Sequence, residues 1–291
     1  MISVVIPVAN EQATIEPLCK ALEQALASPY EILFVDDGST DGTWEEIAKL
    51  HQAGRARGLR FRRNFGKTAA LEAGFAATRG DVVFTLDGDL QDDPQEIPRF
   101  LEMLDQGYDL VSGWKKHRQD PLTKVVASRL FNAVVRWVSG VKLHDINCRF
   151  KAYRGELTRG LRLQSDWHRF TPLLAHAMGY RVGELIVTHH PRRHGWSHYG
   201  FSRLFKGFLD LITVMLVTRY QQRPSHGFGL AALVAVVAGV VLLILPGWPY
   251  LVLGAACLVS AVVMLAAGLV AEILVYRAPA APSCRIREHL D

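Results

Sequence analysis

From Gly227 to Ala271 the chain carries no charged residue over 45 consecutive positions, and this run limits the fold more than any other feature. One bilayer span takes about 20 residues, so the run is too long for one helix and suits two. Its centre, Leu245-Pro246-Gly247-Trp248-Pro249-Tyr250, combines turn residues with interfacial aromatics. The pattern predicts two transmembrane helices over roughly 227–245 and 250–272, joined as a tight hairpin. The competing reading is a buried helical hairpin of a soluble protein, and no soluble domain of this size needs such a run. Arg219, Arg223 and His226 precede the first helix, Arg277, Arg285 and Arg287 follow the second, and the connecting turn carries no charge. The positive-inside rule therefore expects both ends, and the large N-terminal region with them, in the cytoplasm.

The 291-residue chain is 49% apolar and 21% charged, which argues against disorder. Its net charge of +5 suggests anionic partners: nucleic acid, phosphorylated substrates or anionic lipid. Cys19, Cys148, Cys257 and Cys284 are scattered, with no CxxC pair and no histidine spacing suited to zinc. They read as isolated thiols of a reducing compartment. Met1–Pro7 lacks a basic n-region and a long apolar core, and reads as a buried strand instead of a signal peptide.

Residues 1–110 alternate short apolar runs with helical stretches. Ser3–Pro7, Glu31–Asp36 and Asp81–Leu86 read as strands; Thr14–Ala27, Thr43–Gln52 and Lys67–Ala77 show helical spacing. This alternation predicts a mostly parallel α/β sheet with helices on both faces, in which ligands bind at the carboxyl ends of the strands. Those ends are Pro7-Val8-Ala9-Asn10-Glu11, Asp36-Asp37-Gly38-Ser39-Thr40-Asp41-Gly42 and Asp87-Gly88-Asp89-Leu90-Gln91. Three acidic clusters on one rim repel one another, and a divalent cation and ligand donors would relieve that repulsion. Gly66-Lys67-Thr68 lacks the glycine-rich loop of a Walker A motif, and no GxGxxG follows the first strand. The Arg62–Lys67 segment either closes over a base or ribose or is a solvated basic loop.

In combination these motifs resemble the GT-A-fold, family 2 glycosyltransferases, and within them the polyprenyl-phosphate branch. Besides those quoted, the resemblance rests on Asn64-Phe65-Gly66-Lys67, Asp92-Asp93-Pro94, Asp145–Lys151 and Arg192…Gly195-Trp196-Ser197-His198-Tyr199. It covers about residues 2–225, and the tail is similar to the two-helix anchor of some members. It implies a GT-A (Rossmann-like), mostly parallel sheet over 1–199, then interfacial helices, a transmembrane hairpin over 226–273 and a cytoplasmic tail over 274–291. It further implies that Pro7, Ala9, Glu11, Asp36, Asp37 and Lys67 bind the nucleotide-sugar, with Asp87 and Gly88 facing it. Asp89 and Gln91 would ligate Mg²⁺ or Mn²⁺ on the diphosphate, neutralising charge on the leaving group. Arg192 would reach the diphosphate. The family motif ends Ser-Lys-Tyr where this chain has Ser197-His198-Tyr199, so a fixed charge becomes a titratable one. Arg149 stands where the family more often has glycine.

Two basic amphipathic segments suit a membrane surface. Pro121–Val141 interleaves Lys124, Ser128, Arg129 and Arg136 with apolar residues, and Gly200–Tyr220 sets Arg203 and Lys206 among Phe201, Leu204, Phe205, Phe208 and Leu209. Each is otherwise a globular-domain helix with a solvated basic face. The resemblance sets the acceptor phosphate near Ser128 and Arg129, with Lys124 the weaker candidate. A phosphate monoester is largely a dianion at neutral pH and needs no general base, so in-line displacement with inversion is expected, without a covalent intermediate. Asp166 either contacts a sugar hydroxyl or caps a helix.

The expected partners are a nucleotide-sugar (UDP-linked first, GDP-linked second), a polyprenyl phosphate such as undecaprenyl phosphate, and the inner, cytoplasmic membrane, but no nucleic acid. Small residues such as Gly254, Ala255 and Gly268 are candidates for association between copies. Alternatives are a different lipid or glycan acceptor, or a non-catalytic membrane-tethered scaffold. Polymerisation is disfavoured by the lack of a QxxRW motif. A nucleotidyltransferase is disfavoured because no glycine-rich basic loop follows the first strand. The cluster His189-His190, His194 and His198 reads as surface chemistry and not as a zinc site.

Overall fold

A computed structural model of the protein describes residues 1–26, 29–116, 132–136, 139–164, 166–190, 210–211, 213–214, 224–277 and 286–290. The chain forms two compact units, Met1–Leu211 with Ser283–Asp291, and Ile212–Pro282.

In the first unit the apolar runs become strands β1 (Ile2–Val8), β2 (Tyr30–Asp36), β3 (Arg57–Phe61) and β4 (Val82–Thr85). They alternate with helices α1 (Gln12–Ala25), α2 (Thr43–Gln52) and α3 (Lys67–Ala77). β1 pairs in parallel with both β2 and β4, and β2 pairs in parallel with β3. Three further strands follow: β5 (Leu110–Trp114), β6 (Lys151–Arg154) and β7 (Val182–Ile186), with α4 (Ile97–Asp105), α5 (Gly155–Gly160) and α6 (Thr171–Ala177) among them. β6 lies antiparallel between β4 and β5, and β7 runs parallel to β5. The last strand, β8 (Ile286–Leu290), pairs antiparallel with the β3 edge. Among the described residues the sheet order is β7-β5-β6-β4-β1-β2-β3-β8.

One face of this sheet carries the main core. Val4, Ile6 and Val8 alternate along β1 and join Ile32 and Phe34 of β2. They pack with Ile15, Leu18 and Leu22 of α1 and with Phe100 and Leu104 of α4. Each such side chain contributes about 1.5–3 kcal/mol when fully buried. Because β2 and β4 flank β1, strand order reverses there, and the crevice at the carboxyl ends of β1 and β4 is where such sheets take ligands.

The second unit is built from α7 (Pro224–Ile244) and α8 (Trp248–Arg277). The two run antiparallel: a Cβ at Gly239 would meet the Gly254 carbonyl at 3.0 Å, and one at Gly268 would meet Phe228 Cβ at 2.8 Å. Ser225–Ile244 and Trp248–Ala271 are long and apolar enough to cross a membrane, and little of either is buried. Side chains such as Val234 (62% exposed) and Leu269 (60%) face outward, which a soluble protein's core helices do not do. The second helix starts earlier than the expected 250 and continues past 272 to Arg277. Trp248 and Pro249 occupy its first turn, where proline's fixed φ and missing N–H are tolerated. Gly254 and Gly268 lie at the contact between the two helices of the hairpin.

Of the expected helix over 121–141, residues 132–136 are helical; most of it, and nearly all of 200–225, lies outside the described residues.

Candidate active site

The loops after β1 and β2 are laced together. The Asn10 N–H donates to Ser39 Oγ (2.9 Å), the Thr40 N–H donates to Asn10 Oδ1 (2.9 Å), and the Glu11 N–H donates to Thr43 Oγ1 (2.9 Å). Ala9 is exposed in this turn, and Asn10 adopts φ 57°, a left-handed conformation that asparagine tolerates. Asp36 is wholly buried, accepts the Ser39 N–H at 2.8 Å and lies 3.5 Å from Arg60 Nε. Asp37 accepts the N–H groups of Phe65 (2.7 Å) and Gly66 (2.9 Å), fastening the Arg62–Gly66 segment over the strand ends. Burial outweighs these two bonds and holds the Asp37 carboxyl above its ordinary value. Gly38 is required here: at φ 70° its Cβ would stand 2.4 Å from the Arg63 backbone. Both aspartates, expected at the nucleoside, are engaged by the loops around them.

After β4 the Asp87 carboxylate is gripped by two cations, Lys67 Nζ on one oxygen and Arg149 on the other. Gly88 lets this turn lie against β1, since a Cβ would meet Val8 Cγ1 at 2.8 Å. Leu90 has φ 59°, a strained conformation for a bulky residue, next to Asp89 and Gln91. Asp89 is buried and accepts the Gln91 N–H at 3.2 Å. The two remaining carboxylates of the run are structural. Buried Asp92 pairs with half-buried Lys115 at 2.6 Å, and Asp93 accepts the Gln95 N–H (3.0 Å) at the start of a 3₁₀ turn. Gln91 is tied to His190, whose N–H donates to its carbonyl at 2.9 Å, while Gln91 Nε2 donates to the His190 carbonyl at 3.4 Å.

Among the described residues no group of three or more His, Cys, Asp or Glu could hold a metal by protein ligands alone. Asp89 and the Gln91 amide are oxygen donors, the chemistry that Mg²⁺ and Mn²⁺ take. They fit a cation whose other ligands come from a substrate.

Beneath this rim lies a small pocket that includes Pro7 and Asp87. One wall comes from the segment leading into β6. Asn147, Arg149, Lys151 and Tyr153 line the pocket, whereas Cys148, Phe150 and Ala152 enter the core, the two-residue alternation of extended chain. The opposite wall brings Lys67 and Leu71 from α3, and His168 and Arg169 from the 3₁₀ turn Trp167–Phe170. His168 Nδ1 is 2.8 Å from Thr68 Oγ1. Burial, with Lys67 and Arg169 beside it, pushes the imidazole well below its ordinary value and keeps it neutral. Asp166 sits at the N-cap of the turn but makes no capping bond; its carboxylate faces Arg169 at 3.5 Å.

Sequence reasoning missed Lys151, His168, Arg169 and Asn147, and left Arg149 without a role. The alternation over 147–153 was a readable signal; the 3₁₀ turn carries none. Among the expected residues, Pro7, Lys67 and Asp87 meet in the pocket. Lys124, Ser128, Arg129, Arg192 and His198 lie outside the described residues. Within the histidine cluster, His189 Nδ1 lies 2.8 Å from the His190 carbonyl and His190 Nε2 lies 3.3 Å from Asp93 Oδ2.

Residues 3–170, which contain the whole strand-end rim, match the family described as Glycosyl transferase family 2. The chain belongs to glycosyltransferase family 2. Its relatives within the family include the dodecaprenyl-phosphate galacturonate synthase of Rhizobium johnstonii, 37% identical over 100% of this chain and 93% of that protein. The undecaprenyl-phosphate 4-deoxy-4-formamido-L-arabinose transferase of Aeromonas hydrophila is 40% identical over 75% of this chain and 68% of its own. Both are polyprenyl-phosphate sugar transferases by name. A solved structure of Mycobacterium tuberculosis glucosyl-3-phosphoglycerate synthase, in complex with Mn²⁺, UDP and glucosyl-3-phosphoglycerate, aligns with a TM-score of 0.58. It is 25% identical, over 75% of this chain and 79% of that one. The family 2 glycosyltransferase described here thus has the expected GT-A-like sheet, followed by two helices able to span a bilayer.

Proposed function

We propose that this glycosyltransferase transfers a sugar from a UDP-linked donor to a polyprenyl phosphate, undecaprenyl phosphate in the first instance, at the cytoplasmic face of the inner membrane. The observation that carries the reading is the pairing of two features in one chain. A cation-lined pocket at Asp87 lies at the strand-order reversal, and the same chain carries a helical hairpin with an outward apolar surface. The full-length similarity to a dodecaprenyl-phosphate galacturonate synthase supports the lipid acceptor, and the Mn²⁺–UDP complex of the structural neighbour supports the donor chemistry.

In this reading the loops fastened by Asp36 and Asp37, together with Pro7, Ala9 and Glu11, frame the nucleoside. Asp87 faces the donor sugar, and Arg192 and His198 serve the diphosphate. Asp89 with Gln91 would hold Mg²⁺ or Mn²⁺, offsetting the charge that develops on the departing nucleoside diphosphate. Ser128 and Arg129, with Lys124 the weaker candidate, receive the acceptor phosphate at the membrane surface. That phosphate, already a dianion, attacks the anomeric carbon in line, the bond to the nucleoside diphosphate breaks, and the configuration inverts. The cationic flanks of the hairpin support a cytoplasmic catalytic unit.

The test is product analysis. Detergent-purified protein with Mn²⁺, undecaprenyl phosphate and a panel of UDP-sugars should yield a lipid heavier by one glycosyl unit in mass spectrometry. Sugar appearing only on water-soluble acceptors would sink the lipid assignment.

A further inference from the structure

The relatives carry different sugars, a uronate in one and a formamido-pentose in the other, by their names. The pocket beside Asp87 bears on which chemistry this chain accepts. Four basic side chains line it, Lys67, Arg149, Lys151 and Arg169, against a single carboxylate, Asp87. Lys67 and Arg149 share that carboxylate, and Arg169 leans on Asp166, which lies outside the pocket lining. Lys151 is 2% exposed, with burial and Arg149 opposing its charge and Asp145 and Asp92 favouring it. A buried ammonium is costly in a protein that has no use for it. Asn147, Tyr153 and neutral His168 add groups that both donate and accept, so the lining's surplus is one of positive charge.

The position of the surplus matters. Asp89 and Gln91 stand on the rim, where the diphosphate of a donor belongs. Lys151 is set deeper, opposite Thr85 of β4 in the sheet register, two residues before Asp87. An anion meeting Lys151 and Arg149 therefore lies inward of the diphosphate, on the side where a donor sugar would extend.

We propose that Arg149, Lys151 and Arg169 form a carboxylate seat, and that the enzyme selects donors whose sugar is a hexuronic acid. The inference rests on the donor half of the function proposed above and is independent of its lipid acceptor. Arg149 offers a planar pair of N–H donors suited to a carboxylate, and Lys151 supplies a compact second charge. A neutral hexose would leave both unsatisfied, the situation in which a polar site rejects an analogue most strongly. Asp87 releases one cation to the ligand and keeps the other.

Donor binding without any acceptor separates this idea from the lipid reading. The full-length protein in detergent, with Mn²⁺, would be titrated calorimetrically with UDP-galacturonate, UDP-galactose and UDP alone. The two sugars differ only at C6, carboxylate against hydroxymethyl. UDP-galacturonate is expected to bind on the order of 100-fold more tightly than UDP-galactose, and Arg149→Gln and Lys151→Met should each cut that ratio at least 10-fold. Arg149→Lys should keep part of it. Equal affinity of the wild-type protein for the two donors would overturn the proposal, and needs no variant to fold. A variant that weakens UDP alone as much as it weakens UDP-galacturonate, with the ratio intact, would also overturn it, because the cations would then serve the diphosphate. Failure of lipid transfer with this ratio intact would count against the acceptor assignment alone.

Discussion

Arg149 and Lys67 hold opposite oxygens of the Asp87 carboxylate, reaching it from different sides of the sheet's switch point. The side chains of this trio range from 11% to 42% exposed, so water screens the pairs only in part. Replacing Asp87 with Ala leaves two cations facing each other and removes the group that orients them. Asp87→Ala is expected to lower turnover by about 100-fold or more, the scale of losing a positioned charged group. It should also destabilise the catalytic unit by about 1–3 kcal/mol. Adding Arg149→Ala should recover part of that stability and none of the turnover. Denaturant titration of the detergent-solubilised protein, beside initial rates, checks both.

Lys151 gives the donor preference a pH dependence. Burial pushes its ammonium down to about 8, with Arg149 working in the same direction and Cys148, Asp145 and Asp92 opposing. Lys67, His168 and Arg169 also share its pocket. The ammonium is charged below that value and neutral above it, while a sugar carboxylate stays ionised throughout. The ratio of kcat/KM for a uronate donor over its neutral analogue should therefore be full near pH 7 and fall as pH rises through 8 towards 9. Lys151→Met should flatten that profile.

Much of this was legible in the chain and some was not. The hairpin was plain because 45 uncharged positions have few other uses, and α2 and α3 have the expected bounds. β3 was missed because Arg57 and Arg60 break the apolar pattern of an edge-side strand, and β6 because Lys151 and Arg154 make it look solvated. That same lysine is what a sequence reading discounts, since lysines are seldom buried. Asp36 and Asp37 were read from the motif as ligand contacts. Their hydrogen bonds to Ser39, Phe65 and Gly66 depend on how two loops meet, which spacing does not reveal. β8 had no readable signal, because Ile286–Leu290 forms a strand only where the β3 edge accepts it.

That last strand fixes a topological expectation. β8 follows the antiparallel hairpin and pairs with β3, which precedes it, so a hairpin that crosses a bilayer would have both of its ends on one side. A reporter fused after Asp291 should score on the same side as one at the N-terminus, the cytoplasmic side by the positive-inside rule. Opposite sides would require that only one of the two helices crosses.

The buried thiols should be inert. Burial pushes both Cys19 and Cys148 up to about 12, leaving almost no thiolate at neutral pH. Mass spectrometry after iodoacetamide treatment should find both unmodified in the folded protein and alkylated after denaturation. Modification of Cys148 in the native state would mean that the wall carrying Arg149 and Lys151 opens in solution.

The central claim is transfer to a lipid phosphate at a site built around Asp89. Its most direct test is UDP release from UDP-galacturonate by the purified protein with Mn²⁺, with and without undecaprenyl phosphate, beside Asp89→Ala. Release should require the lipid phosphate and fall by about 100-fold or more in the variant. Release that is indifferent to the lipid, or that survives loss of Asp89, would contradict it.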